Sequence, residues 1–124
     1  MIAVDTSALM EIVLGEMQAD VCMRALEAEA EVVISAGTVA EALIVAARRN
    51  VGEEVARLID GLGFEIVSVT PASARRVAVA YARWGRGAHP ASLNFGDCFA
   101  YACAKALKVS LVYKGDDFAR TDLA

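Results

Sequence analysis

The chain is organised around residues 93–104, whose sequence is LNFGDCFAYACA. Asp97 is the single acid in this stretch, and residues 98–104, which follow it, are all apolar or aromatic. This pattern is typical of a buried helix with one carboxylate near its first turn. Because an unpaired carboxylate is costly to bury, Asp97 must be hydrogen-bonded, paired or bound to a metal ion. Three other acids repeat the pattern of a carboxylate beside an apolar segment: Asp5, Glu41 and Asp116.

Length and hydropathy indicate one domain, residues 1–124, with a substantial core. The hydrophobic share is 57% and the mean hydropathy is +0.47, yet the apolar runs are far shorter than the ~18 residues that span a membrane. The first five residues, MIAVD, lack the basic start of a signal peptide. We therefore expect a cytoplasmic protein that buries additional apolar surface in an oligomer.

Charge and reactive side chains narrow the possible functions. The formal net charge is −4, but residues 72–115 carry seven basic residues against Asp97 alone, a local charge of +6. This asymmetry allows a polyanion to approach one side of the molecule. The three cysteines have no metal-binding spacing, and His89 is the only histidine. A zinc site or a catalytic cysteine is therefore not expected.

Apolar runs and turn residues predict alternating strands and helices. The strands are predicted at residues 2–5, 32–35, 64–69 and 109–113, with a short last one at 121–123. The helices are predicted at residues 8–14, 17–30, 37–50, 53–62 and 71–84, followed by the Asp97 helix, which ends near residue 107. This order implies an α/β domain whose mostly parallel sheet is covered on both faces.

The topology brings the four acids to one edge of the predicted sheet. Asp5 ends the first strand and Asp116 follows the fourth, while Glu41 and Asp97 lie in the first turns of helices. Ligands of such sheets bind at the carboxyl ends of the strands. Four carboxylates at one point raise each other's pKa unless cations neutralise them. An all-oxygen ligand set suits Mg²⁺ or Mn²⁺ rather than zinc.

Each acid also has a purely structural interpretation. Thr38 and Glu41 fit a capping box, and Asn94 and Asp97 fit a near variant of it. Asp5 can cap the first helix. The remaining two acids fit a turn beside a glycine: Asp116 and Asp117. Capping does not require four acids at the same end of a sheet, so we favour the metal site.

Four segments, in order along the whole chain, resemble the PIN-domain ribonucleases, and more narrowly the VapC toxins of toxin–antitoxin modules. These segments are MIAVDTSAL at 1–9, TVAEAL at 38–43, LNFGDCFAYACAKAL at 93–107 and LVYKGDDFARTDL at 111–123. The resemblance implies a PIN-like α/β/α sandwich with a mostly parallel sheet of four to five strands. It also implies a Mg²⁺- or Mn²⁺-dependent endoribonuclease that hydrolyses phosphodiester bonds in tRNA or ribosomal RNA by metal-activated water. The expected partners are the RNA, a cognate antitoxin and a second copy of the chain, without a membrane.

The resemblance assigns roles residue by residue. The catalytic and metal-binding acids are Asp5, Glu41, Asp97 and Asp116. The supporting residues are Thr6, Ser7, Asn94 and Asp117, and the last of these is also a candidate for the fourth acid. Apart from these assignments, Arg86 and the neighbouring glycines of the loop at 85–93 are candidates for lining the path of the RNA.

Two alternative functions make different demands on the sequence. An inactive PIN module that serves only as a binding partner would lack a metal-binding acid, and none is missing here. A receiver-type signalling domain needs an acidic pair after its first strand, but Asp5 has no acidic neighbour. It also needs an aspartate after its middle strand, and residues 64–69 end without one. We therefore favour the nuclease.

Overall fold

A four-stranded parallel sheet lies at the centre of the computed structural model, which describes residues 1–123; the predicted domain, 1–124, ends one residue beyond them. The strands are β1 (Ile2–Val4), β2 (Val32–Ser35), β3 (Glu65–Val67) and β4 (Leu111–Val112). The helices are α1 (Thr6–Val13), α2 (Ala19–Glu27), α3 (Ala36–Arg48), α4 (Gly52–Gly61), α5 (Pro71–Trp84) and α6 (Phe95–Leu107). A short 3₁₀ helix follows at Phe118–Arg120. Within residues 1–123, no helix is long and apolar enough to cross a membrane.

Helices cover both faces of the sheet, as the sequence predicts. Because successive strand side chains point to opposite faces, Ala3 packs into the core formed with α5 and α6. Val4, the next residue, packs into the core formed with α1 to α4. The same alternation separates Val33 from Ile34 on β2. The α/β/α sandwich is therefore confirmed.

The strand order is β3-β2-β1-β4, with all neighbours parallel. The order reverses between β1 and β4, and such a reversal in a parallel sheet opens a crevice at the carboxyl ends of the strands. Two helices begin at this edge directly after their strands. Asp5 is the N-cap of α1 and Ser35 is the N-cap of α3, where its hydroxyl accepts from Gly37 N at 3.1 Å.

Two local predictions are wrong. Thr38 does not cap a helix, because Ser35 caps α3 three residues earlier and leaves Thr38 buried inside the helix. Residues 121–123 form a turn instead of a fifth strand. There the Thr121 hydroxyl donates to Phe118 O at 2.6 Å and accepts from Leu123 N at 3.1 Å, which keeps the segment turned.

Candidate active site

Asp5 lies at the carboxyl end of β1 and is only 2% exposed. Its Oδ2 accepts from Ser7 N at 3.0 Å and from Ser7 Oγ at 2.6 Å. Its Oδ1 is buried and has no hydrogen-bond partner. The pKa of Asp5 is raised to about 7, mainly by burial; the charges of Asp97 and Glu41 contribute to the rise, and the Ser7 hydrogen bonds oppose it. The carboxyl group is therefore buried with half of its hydrogen-bonding capacity unused.

Glu41 projects from the second turn of α3 toward the same edge. Thr6, the first residue of α1, donates its hydroxyl to Glu41 Oε1 at 2.7 Å and so links the two helices. Gly96, in the first turn of α6, packs directly on the other side of the carboxylate. A Cβ at position 96 would overlap Glu41 Oε2, so any larger residue there requires the Glu41 carboxylate to move.

Asp97 is the third residue of α6 and forms the capping box that the sequence predicts. Its Oδ2 accepts from Asn94 N at 2.9 Å, and Asn94 Oδ1 accepts from Asp97 N at 2.8 Å. Burial raises the pKa of Asp97 to about 6, and the charges of Glu41 and Asp117 also raise it. The Asn94 hydrogen bond and the nearby Arg86 act in the opposite direction. The sheet edge that carries Asp5, Glu41 and Asp97 is called the acid edge below. The Asp97 carboxylate therefore belongs both to this edge and to the cap of α6.

The segment after β4 separates the two candidates for the fourth acid. Asp117 lies close enough for its charge to raise the pKa of Asp97. Asp116 lines a different hollow, which β4 forms with α2. The segment is held to the start of α1 by Ser7, whose hydroxyl accepts from Lys114 N at 3.0 Å while it donates to Asp5. Of the two, Asp117 is therefore the acid whose charge acts on Asp97.

The structure thus brings Asp5, Glu41 and Asp97 to one edge, each bound to a predicted supporting residue. Throughout residues 1–123, no group of three His, Cys, Asp or Glu side chains is already gathered around one point as metal ligands. The fit to a metal rests on chemistry: the donors are all oxygen, which suits Mg²⁺ or Mn²⁺, and Asp5 Oδ1 is a buried acceptor without a donor.

Two further residues near this edge, Gly96 and Glu11, are not predicted from the sequence. Gly96 matters through its contact with Glu41, and a glycine inside a helix is the one local signal that suggests such a close approach. Glu11, on α1, is 4% exposed; its carboxylate accepts from Gln18 N at 2.7 Å and lies 3.8 Å from Lys114 Nζ. The contact with Lys114 links the segment after β4 to α1, and the contact with Gln18 links α1 to the start of α2. No sequence pattern predicts either contact.

Known proteins resemble this chain in sequence and in fold. The PIN domain profile matches residues 2–123. Ribonuclease VapC42 of Mycobacterium tuberculosis is 40% identical over 97% of this chain and 95% of its own length. Ribonuclease VapC36 of the same species is 41% identical over 97% of this chain and 89% of its own length.

Two solved structures share the fold at lower identity. The first is Mycobacterium tuberculosis VapC20, described as a sarcin–ricin loop cleaving toxin, with a TM-score of 0.76 and 17% identity over 96% of this chain and 93% of that one. The second is a toxin–antitoxin complex from Klebsiella pneumoniae, with a TM-score of 0.70 and 22% identity over 96% of this chain and 91% of that one.

These comparisons decide between the predicted families. The receiver-domain alternative is wrong. The chain belongs to the PIN-domain family, together with the VapC ribonucleases that it resembles along nearly its whole length.

Proposed function

We propose that this chain is a metal-dependent endoribonuclease, the toxin of a VapBC-type toxin–antitoxin module, and that it works as one PIN domain. The observation that carries the proposal is the acid edge, where Asp5, Glu41 and Asp97 lie near enough for their charges to act on one another, and where the pKa values of Asp5 and Asp97 are raised to about 7 and about 6. The family membership and the ribonuclease names of the curated relatives support the same reading.

The proposed ligands of Mg²⁺ or Mn²⁺ are Asp5, Glu41 and Asp97, with Asp117 in preference to Asp116 as the fourth acid. Asp5 Oδ1 supports this assignment, because a buried carboxylate oxygen without a hydrogen-bond donor is costly unless a cation approaches it. A bound divalent ion supplies Lewis acidity, lowers the pKa of an attacking water and stabilises charge on phosphate oxygens.

The remaining residues of the edge orient these acids and the substrate. The Thr6 hydroxyl holds Glu41, Ser7 holds Asp5, and the Asn94 backbone holds Asp97. Such partners fix the direction in which a carboxylate points, and their loss typically costs 10- to 100-fold in metal affinity or activity. Arg86 is exposed near Asp97, and its charge offers a contact for an RNA phosphate.

The proposed partners follow from the relatives and from the surface. The proposed substrate class is tRNA or ribosomal RNA, and the description of VapC20 as cleaving the sarcin–ricin loop supports the second of these. The toxin–antitoxin complex from Klebsiella pneumoniae supports an antitoxin partner. Exposed apolar side chains such as Val69 and Leu107, which line one hollow, support a homodimer. We propose that the protein acts in the cytoplasm, where these RNAs are found.

Cleavage of total cellular RNA by the purified protein tests the proposal. We expect discrete fragments with Mg²⁺ or Mn²⁺, none with EDTA, and none with Asp97→Asn. Asp122→Asn serves as the matched control, since it removes an acid that faces away from this edge toward Lys105. Fragments that persist in EDTA, or that Asp97→Asn produces at the wild-type rate, would contradict the proposal.

A further inference from the structure

An apolar cleft of about 290 Å³ adjoins the acid edge, between the first turns of α3 and the start of α6. Ile44 and Phe95 stand on its two sides, and Glu41 forms part of its wall. Gly96 lines the same cleft and packs on the Glu41 carboxylate. The cleft is therefore continuous with the proposed metal site.

Phe95 presents an aromatic ring at the mouth of this cleft. It is 68% exposed, whereas the larger Trp84 is 7% exposed. Its ring packs edge-to-face on Phe99, with centroids 4.9 Å apart, and Phe99 in turn packs so closely on Gly37 that a Cβ there would overlap its ring. Phe95 is thus an exposed ring on a firm support, two residues before Asp97.

We propose that the Phe95 cleft binds a nucleobase of the RNA, stacked on the Phe95 ring, next to the phosphate held at the acid edge. This inference rests on the proposed nuclease function and adds a base-binding subsite to it. A phosphate beside Asp97 leaves the base of a neighbouring nucleotide within reach of a ring two residues away. Aromatic rings bind unpaired bases in this way, by a contact that every base can make.

Continuity with the acid edge favours a nucleobase over a protein side chain. The cleft shares Glu41 with the proposed metal site, so an occupant of the cleft also borders the scissile phosphate. The ring stands on the first turn of the helix that carries Asp97, which couples its position to that of the acid. A nucleotide chain is the ligand that presents a flat apolar ring and a phosphate at neighbouring points.

A tryptophan reporter tests stacking independently of cleavage. Trp84 is the single tryptophan and is buried, so Phe95→Trp adds an exposed indole at the cleft. In an Asp97→Asn background, which prevents cutting, we expect poly(A) and poly(U) to quench the added fluorescence. The matched control carries Asp97→Asn alone, and its emission should not change. The absence of quenching in the reporter protein would overturn the proposal.

Affinity for the same polymers separates aromatic stacking from apolar bulk. In the Asp97→Asn background, Phe95→Leu should weaken binding by about 5- to 150-fold, the loss expected for one stacked base. Phe95→Tyr should retain the affinity because it keeps the ring. Val79→Ala, which trims an exposed apolar side chain on α5, should also bind normally.

The competing occupants give different results. Sedimentation of wild type and Phe95→Leu reports whether the cleft is covered by a second copy. A dimer that dissociates in Phe95→Leu while RNA affinity stays at the wild-type level would overturn the proposal and assign the cleft to a second copy. Unchanged RNA affinity without dissociation would also overturn it. If the reporter protein shows stacking but the wild-type protein never cuts RNA, the proposed nuclease function would be contradicted and the proposed base-binding cleft would be supported.

Discussion

Two aspartates at the same helix, α6, have opposite electrostatic environments. Asp97, at the start of α6, has its pKa raised to about 6 by burial and by neighbouring carboxylates. Asp122 packs against later turns of α6, where Tyr101 donates its hydroxyl to Oδ1 at 2.6 Å and Lys105 Nζ lies 3.2 Å from Oδ2. The Tyr101 hydrogen bond and Lys105 lower the pKa of Asp122.

The difference lies in which cations the protein itself supplies. The Asp122 contact is complete, because Trp84 Nε1 also donates to the Tyr101 hydroxyl at 2.9 Å and Arg83 lies 3.9 Å from Oδ2. At the acid edge, Arg86 is the basic residue whose charge favours ionised Asp97. The first arrangement stabilises the fold by itself, whereas the second gains from an external cation. This contrast is the basis of the functional assignment.

The largest effect we expect is on catalysis by the two aspartates. Asp97→Asn should reduce the rate of RNA cleavage by at least about 100-fold, since losing a ligand costs more than losing a residue that orients one. The fold should persist because an asparagine oxygen still accepts from Asn94 N. Asp122→Asn should leave kcat unchanged and lower the free energy of unfolding by about 1 kcal/mol or less. Single-turnover cleavage measures the rates, and urea unfolding measures the free energies of unfolding. A large loss of cleavage in Asp122→Asn with wild-type cleavage in Asp97→Asn would refute the contrast.

The packing of Gly96 on Glu41 gives the second largest effect. Gly96→Ala should displace the Glu41 carboxylate and lower the cleavage rate by about 100-fold, the cost of a misplacement near 1 Å. Gly61→Ala is the control, because a Cβ there meets open space at the end of α4. Rates and circular dichroism of both variants are compared. A folded Gly96→Ala protein with wild-type activity would remove Glu41 from the site.

A smaller effect is expected from the hydroxyl that orients Glu41. Thr6→Val keeps the shape of the side chain and loses the 2.7 Å bond to Glu41 Oε1, so activity should fall by roughly 10-fold. Thr6→Ser should restore it, since serine retains the hydroxyl. Cleavage rates measured across a range of Mn²⁺ concentrations test this. Equal activity of the valine and serine variants would argue against an orienting role.

The last effect is on stability rather than on catalysis, and concerns its dependence on pH in the absence of divalent ions. The pKa values of Asp5 and Asp97 are raised from 3.8 to about 7 and about 6 respectively. Between the unfolded and the folded pKa of each group, the folded state therefore binds more protons than the unfolded state. The free energy of unfolding should therefore fall as pH rises from about 4 to about 7. Thermal unfolding in EDTA measures the slope, which should be shallower in Asp97→Asn. Parallel slopes in the two proteins would contradict the assigned burial of Asp97.

The general architecture and the acid edge follow from local patterns together with a topological rule. Alternating strands and helices imply a parallel sheet, and the first two strands run directly into capped helices, which brings Asp5 and Glu41 to one edge. The capping box of Asn94 and Asp97 was also predictable, because its two partners are three residues apart and depend on nothing beyond the helix start.

The remaining features depend on contacts between distant parts of the chain. Ser35 and Thr38 are both plausible caps, and only the position of β2 decides between them. The turn at residues 121–123 packs against Tyr101 through Asp122, 21 positions away. The role of Gly96 arises from the packing of α3 on α6, and the preference for Asp117 from the path of the chain after β4. Spacing along the sequence carries none of this information.

Binding of Mn²⁺ at pH 8 tests the central claim most directly. The electron paramagnetic resonance signal of free Mn²⁺ is followed during titration of wild type, Asp97→Asn and Asp122→Asn, without RNA. We predict that wild type and Asp122→Asn bind the ion equally, and that Asp97→Asn binds at least about 10-fold more weakly. Equal binding by all three proteins, or by none, would contradict the assignment of the acid edge as a metal site.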